Sequence, residues 1–357
     1  MITDRASLEG LAQRLELAPA IALDTEFLRE RTYRAELCLL QIADAAGGLC
    51  VDPLAVTDLS PLRAVFSGTS VVKVMHACRQ DIEVLLSATG FVKPVFDTQI
   101  AAALTGMPAQ IGYAELVRRV TGTELSKAHT RTDWSRRPLS PEQIDYALDD
   151  VRYLLPLREH LLGELARLGR TAWLAQELAA LEDPADYAVD PQAAWLRIRS
   201  FRGLDADRVR LAQQLAAWRE RRADERNRPR GWILDDAVLR DIVTRVPRTL
   251  EQLAATPDMQ AGFMKHNGAE ILRLIEAAAM PATLPRVDTR GAPDPQKAAL
   301  VKKLAAVNQA VAAELNLPAE LLATRRDLEL LADGREDVQV LAGWRREVIG
   351  GRLLAAL

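Results

Sequence analysis

The chain is poor in cysteine, in aromatic residues, in excess positive charge and in long apolar runs, and each shortage closes off a class of protein. Its three cysteines, Cys38, Cys50 and Cys78, form no CxxC pair and all fall in the first third of 357 residues. They read as buried free thiols in a reducing compartment, not as a disulfide framework. Aromatic residues make up 5% of the chain, while alanine and leucine dominate, which leans helical. Lys and Arg number 46 against 49 Asp and Glu, a net charge of −3. A globally basic nucleic-acid binder is thereby excluded, although acidic metal ligands would lower the net charge and still leave basic patches in place. No apolar run approaches the ~20 residues of a membrane span, and the opening Met-Ile-Thr-Asp-Arg carries no signal-peptide pattern. The expectation is a cytoplasmic protein with no membrane partner and no obligate protein partner.

What is present is core-forming material, 49% hydrophobic, enough for two or three domains. One stretch organises the rest. Ile21-Ala22-Leu23-Asp24-Thr25-Glu26-Phe27 is an apolar run leading into two carboxylates one residue apart, the pattern of a buried strand that ends at a site. Alternation across a strand puts Asp24 and Glu26 on one face, roughly 7 Å apart along it. At about 5 Å between charges and an effective dielectric of about 20, they repel by roughly 3 kcal/mol. A divalent cation removes that cost, and an oxygen-only ligand set suits Mg²⁺ or Mn²⁺ better than zinc. On the dipeptide alone, the alternative is that Asp24 caps a turn and Glu26 is solvated.

Residues 1–100 alternate strand and helix patterns. A helix is expected over Leu8–Leu15, then the strand ending at Glu26. Strands Leu37–Ala43 and Leu49–Asp52 form a hairpin about Gly47-Gly48. A short helix follows at Leu59–Phe66, a fourth strand at Val71–His76, a helix over 79–89 and a fifth strand at Val95–Asp97. The pattern is a mixed sheet with helices on its faces. From about residue 98 only helical patterns occur. Ser140-Pro141-Glu142-Gln143 is a capping box with proline at the first helical position. In the helix it opens, Tyr146 and Asp150 share a face four residues apart. The expected domains are residues 1–200, then 201–283, a proline-rich linker at 284–296, and 297–357. Trp232-Ile233-Leu234 faintly echoes Glu320-Leu321-Leu322, a weak internal repeat.

Three segments carry chemistry: Asp24 with Glu26; His76-Ala77-Cys78-Arg79-Gln80-Asp81; and Tyr146 with Asp150. Together they offer four carboxylates and a phenol, enough to hold two metal ions for phosphodiester hydrolysis. DTEF, HACRQD and YALDD resemble the three exonuclease motifs of the DEDD superfamily, tyrosine subgroup. Phe96-Asp97-Thr98-Gln99 and the stretch Lys127–Leu139 are similar to the ribonuclease D family in particular, over residues 15–165. The last third is similar to HRDC domains, chiefly at Pro229–Leu239 and less so in the second copy around Gly343-Trp344-Arg345-Arg346.

The resemblance implies a ribonuclease H-like α/β domain, a mixed five-stranded sheet with flanking helices, followed by two small all-α HRDC-like domains. It implies a metal-dependent 3′→5′ exoribonuclease with two divalent ions, Mg²⁺ or Mn²⁺. Asp24 would bridge both ions, Glu26 and Asp150 would complete one, Asp81 would hold the other, and Tyr146 would position the nucleophile. RNA is the implied partner, as tRNA precursors and other small structured RNAs. Candidate substrate contacts are Phe27, His76, Lys127, Arg131, Arg228 and Arg230. Each has a blander reading: a strand-end histidine often satisfies a local hydrogen bond, and the basic run Arg219–Arg230, interleaved with acids, is usually a solvated face. The rivals are a DNA 3′→5′ exonuclease and a non-catalytic RNA-binding adaptor.

Overall fold

The computed structural model describes residues 1–126, 132–198, 201, 204–278 and 295–357. The chain forms two compact units: Met1–Leu28 with Glu36–Tyr187 and Asp294–Leu357, and Arg29–Ala35 with Ala188–Pro293. Residues 297–357, expected to stand as a module of their own, pack as part of the first unit.

The first unit runs α1 (Arg5–Leu15), β1 (Ala20–Leu28), β2 (Glu36–Asp44), β3 (Gly47–Val51), α2 (Arg63–Ser67), β4 (Val72–Met75), α3 (Arg79–Thr89), β5 (Val95–Asp97), α4 (Thr98–Leu104), α5 (Tyr113–Thr121), α6 (Pro141–Arg152), α7 (Leu154–Arg167) and α8 (Thr171–Leu181). The five strands are ordered β3-β2-β1-β4-β5. β1, β2 and β3 pair antiparallel, while β4 and β5 run parallel to β1. This is the mixed five-stranded sheet expected from the sequence, with β1 at its centre.

Alternation along β1 decides which helix faces which residue. Ile21 and Leu23 pack with Leu8, Leu11 and Leu15 of α1 and Ile82 and Leu85 of α3. Ala22 packs on the other side, with Val151 of α6 and Leu154 and Leu157 of α7. Asp24 and Glu26 continue the Ala22 face, toward α6. The helix comes close there because β3 presents Gly48, where an added Cβ would lie 3.2 Å from the Leu148 side chain. The expected capping box is formed: the Gln143 backbone N–H donates to Ser140 Oγ at 3.2 Å, and the Ser140 N–H donates to Gln143 Oε1 at 2.8 Å.

Lys73, fully buried on β4, donates from its ammonium to the carbonyl oxygens of Val65 (3.2 Å), Gly68 (2.9 Å), Val71 (2.7 Å) and Lys93. Burial pulls its pKa down to about 8. The residue ties the segments around β4 together through these four carbonyls.

The second unit contains α9 (Ala206–Glu225), α10 (Arg230–Ile233), α11 (Asp236–Arg245), α12 (Leu250–Ala254) and α13 (Ala261–Ala278). Its core gathers Trp195, Leu215, Trp218, Leu239, Ile242 and Ile271. Tyr33 belongs to this unit and donates its hydroxyl to Glu220 at 2.5 Å.

Back in the first unit, α14 (Pro295–Leu315), α15 (Ala319–Leu322) and α16 (Arg325–Ala332) repeat the design of α9–α10–α11. Asn227 and Asn316 both turn the chain in the left-handed region, at φ 45° and 49°, a conformation asparagine tolerates better than most residues. Pro229 and Pro318 then cap the short helices, and Asp235 and Thr324 cap the helices after them. Arg219 donates to the Leu234 carbonyl at 2.9 Å, and Asn308 donates to the Ala323 carbonyl at 3.0 Å. Two different side chains thus serve the equivalent backbone carbonyl in the two copies. The repeat is in register one residue later than the sequence echo suggests: Trp232-Ile233-Leu234 correspond to Leu321-Leu322-Ala323.

Trp344 explains why the final segment joins the first unit. It is 1% exposed and stacks on Trp173 of α8 with ring centroids 4.6 Å apart. Its indole N–H donates to Glu177 at 2.7 Å, and Arg345 donates to both Glu177 oxygens at 2.5 and 2.9 Å.

Candidate active site

β1 supplies Asp24 and Glu26, and α6 supplies Asp150. One carboxylate oxygen from each lies within 4.8 Å of the others, and all three residues are half-buried. Among the described residues no lysine or arginine forms an ion pair with them. Burial pushes the Asp24 carboxyl well above the usual range, and the charges of Asp81, Asp150 and Glu26 add to that. Burial, then Asp150 and Asp81, raises Glu26 to about 8. Asp150 rises to about 7 through burial and the neighbouring Asp149. Three half-buried carboxylates facing one another fit a divalent metal ion, which would reverse each of these shifts.

Asp81 stands apart from that trio. It lies in the first turn of α3 and accepts a hydrogen bond from Thr25 Oγ1 at 2.5 Å. Burial raises it to about 6, and the Thr25 bond works against that rise. Thr25 sits between the two β1 carboxylates and points to the opposite face of the strand. The alternation that pairs Asp24 with Glu26 therefore gives Asp81 its partner, a role that sequence reasoning missed. The turn before α3 is itself braced. Ala77 is in the left-handed region at φ 54°, and the Asp97 carboxylate accepts from the Ala77 and Cys78 backbone N–H groups at 3.2 and 2.9 Å. A non-glycine residue held at positive φ beside a site is strain stabilised by its surroundings. Asp97 caps α4 through the N–H groups of Gln99 and Ile100, and holds this turn as well.

Tyr146 lies one turn before Asp150 on α6. Burial, then Asp150, Glu26 and Asp24, pushes its phenol up to about 12, so it stays protonated at neutral pH and can donate a hydrogen bond. Trp134 stacks on it at 6.3 Å between ring centroids with 23° between planes.

The expected substrate contacts divide. Phe27 is half-buried and directly follows the irregularity between Glu26 and Phe27 in the β1–β2 register, and such bulges re-aim side chains beside active sites. His76 has both ring nitrogens engaged, Nδ1 with Thr98 Oγ1 at 2.9 Å and Nε2 with the Ile111 carbonyl at 3.0 Å. Burial lowers its pKa and keeps it neutral. Arg230 donates to both oxygens of buried Glu220, each at 2.6 Å, and lies over the Tyr33 ring. Arg228 is exposed and lies over Trp232, itself 59% exposed. Lys127 and Arg131 fall outside the described residues.

A family model described as 3′-5′ exonuclease matches residues 1–166, and an HRDC domain model matches residues 209–275. Ribonuclease D of Granulibacter bethesdensis is 41% identical, the match covering 99% of this chain and 91% of that protein. The chain belongs to the ribonuclease D family. Ribonuclease D of Sphingobium indicum is 40% identical, covering 98% of this chain and 92% of its own length. The crystal structure of Escherichia coli RNase D, titled an exoribonuclease involved in structured RNA processing, superposes with a TM-score of 0.89 at 32% identity, covering 100% of this chain and 98% of that one. The catalytic core of RRP6 from Trypanosoma brucei is more distant, at a TM-score of 0.59 and 25% identity over 78% of each chain. The protein is a 3′→5′ exoribonuclease of the ribonuclease D type, with Asp24, Glu26 and Asp150 able to hold metal. No helix among the described residues is long and apolar enough to cross a membrane.

Proposed function

We propose that this protein removes 5′-mononucleotides one at a time from the 3′ ends of tRNA precursors and other small structured RNAs, using two divalent ions, Mg²⁺ or Mn²⁺. The observation that carries the reading is the trio Asp24, Glu26 and Asp150, half-buried together with no lysine or arginine paired to it among the described residues. Asp24 would serve both ions, Glu26 and Asp150 one, and Asp81 the other, on release from Thr25. The ions, when bound, would stabilise charge developing at phosphorus and at the leaving 3′ oxygen. Tyr146, protonated, donates a hydrogen bond to the attacking water and fixes its direction. Phe27, at the strand end beside Glu26, is placed to meet the terminal nucleotide. His76, with both nitrogens committed, shapes the site through Thr98 and Ile111.

Chemistry belongs to residues 1–200 in this reading, and RNA grip to the HRDC module at 201–283. The exposed Arg228–Trp232 pair offers that module a charge for phosphate and a face for a base. Residues 297–357, after the 284–296 stretch, form the second HRDC-like module. We place the enzyme in the cytoplasm, where Cys38, Cys50 and Cys78 stay reduced and buried. Digestion of matched 5′-labelled RNA and DNA oligomers tests the substrate class. RNA should shorten stepwise from the 3′ end, and equal rates on DNA would replace the RNA assignment with a general exonuclease.

A further inference from the structure

The loop preceding α6 is built with more hydrogen bonding than a connector needs. Asp133 organises its turn, accepting from the Ser135 N–H at 3.2 Å, from Ser135 Oγ at 2.6 Å and from Arg136 at 3.1 Å. Arg137 uses every donor of its guanidinium. Nε and Nη2 donate to the Asp52 carboxylate at 2.7 and 2.8 Å. Nη2 also reaches the Cys38 carbonyl at 2.6 Å, and Nη1 the Trp134 and Arg136 carbonyls at 2.7 and 2.9 Å. Asp52 is held below the usual carboxylate range by this pairing. A planar fork that satisfies one carboxylate and three carbonyls fixes geometry in a way a lysine cannot.

What the clamp fixes is Trp134. It is 5% exposed and packs among Cys38, Leu39, Cys50, Leu139 and Ala147, with the Tyr146 ring against it. α6 has anchors besides this contact: the capping box starts it, and Val151 packs on Ala22 and Leu154. The contact adds a wall behind the Tyr146 ring, and that wall restricts the side-chain torsions that aim the phenol.

We infer that Trp134, locked by Arg137 and Asp52, is a positioning residue that sets the direction of the Tyr146 hydroxyl. The inference rests on the proposed role of Tyr146. A misplacement of about 1 Å at a reacting group can cost on the order of 10²-fold in rate, which is the scale available to such a wall.

The test is a double-mutant cycle in the full-length protein, read by single-turnover cleavage of a short 5′-labelled RNA at saturating Mg²⁺. Trp134→Ala should lower kcat about 10–100-fold and leave KM and the Mg²⁺ concentration dependence unchanged. Trp134→Phe, which keeps a ring against Tyr146, should recover most of the rate. In a Tyr146→Phe background, Trp134→Ala should cost less than about twofold further, the signature of two residues acting as one. Losses that multiply, or a Trp134→Ala loss that follows weakened Mg²⁺ dependence, overturn the inference and make Trp134 a packing residue. Full activity of Tyr146→Phe overturns the role of Tyr146 itself, a separate outcome. Should Trp134→Ala fail to fold, Arg137→Lys carries the test. It keeps the charge and loses the fork, so it should lower kcat in the wild-type background and not in Tyr146→Phe; no loss in either refutes the inference.

Discussion

Asp24 and Tyr146 lie in one site but are expected to fail differently when changed. Asp24→Asn removes a charge from the trio, so metal affinity and turnover should fall together. Tyr146→Phe removes one hydroxyl and leaves all four carboxylates in place. It should leave calorimetric metal titration nearly unchanged and lower single-turnover kcat by about 10²–10⁴-fold. Equal loss of metal affinity in both variants would make Tyr146 structural. The raised carboxylates also give the metal-free protein a pH-dependent stability. In the unfolded chain these groups titrate near 4, whereas in the fold Asp81, Asp150 and Glu26 sit at about 6, 7 and 8. The folded state therefore holds more protons over that interval. Their contribution is complete below pH 4 and is lost as pH rises through 6 to 8. Thermal melts in chelator should show this loss, with Mg²⁺ restoring more stability at pH 8 than at pH 5. A restoration independent of pH would mean that the carboxylates do not bind the ion.

At the scale of elements, local patterns carried far and long-range pairings did not. The five strands, the capping box at Ser140 and the shared face of Asp24 and Glu26 were legible, because each depends on a period or a cap within a few residues. The partnership of Thr25 with Asp81 was not legible, since it joins a strand to a helix 56 residues away. The pairing of Arg137 with Asp52 was invisible for the same reason, since it joins the Lys127–Leu139 stretch to the end of a strand 85 residues earlier. The end of the chain is the clearest case. A proline-rich stretch before residue 297 reads as a linker to a second small domain, and Trp344 stacks on Trp173 and binds Glu177 within the first unit. Trp344→Ala should accordingly destabilise that unit by about 3–5 kcal/mol, the cost of truncating a buried tryptophan. A shift in the urea midpoint checks it, and a loss under about 1 kcal/mol would mean the segment is only loosely held.

Across the whole molecule, a net charge of −3 leaves RNA binding to local patches. Arg228→Ala should raise KM for a tRNA-sized substrate and leave kcat on a short oligomer unchanged. Its salt dependence should flatten by about one phosphate contact. Arg230→Ala should act instead on the stability of the second unit, because it exposes the charge of buried Glu220 to an unpaired interior. A KM effect from Arg230 and none from Arg228 would reverse these assignments. The most direct measurement concerns the acidic trio. The full-length protein is stripped with chelator, offered a 5′-labelled RNA, and then given Mg²⁺ or Mn²⁺, with Asp24→Asn run beside it. The expected result is no cleavage in chelator, a ladder shortening from the 3′ end with release of 5′-mononucleotides on metal addition, and no recovery in Asp24→Asn. Undiminished cleavage in excess chelator, or full recovery of Asp24→Asn by metal, would contradict the account.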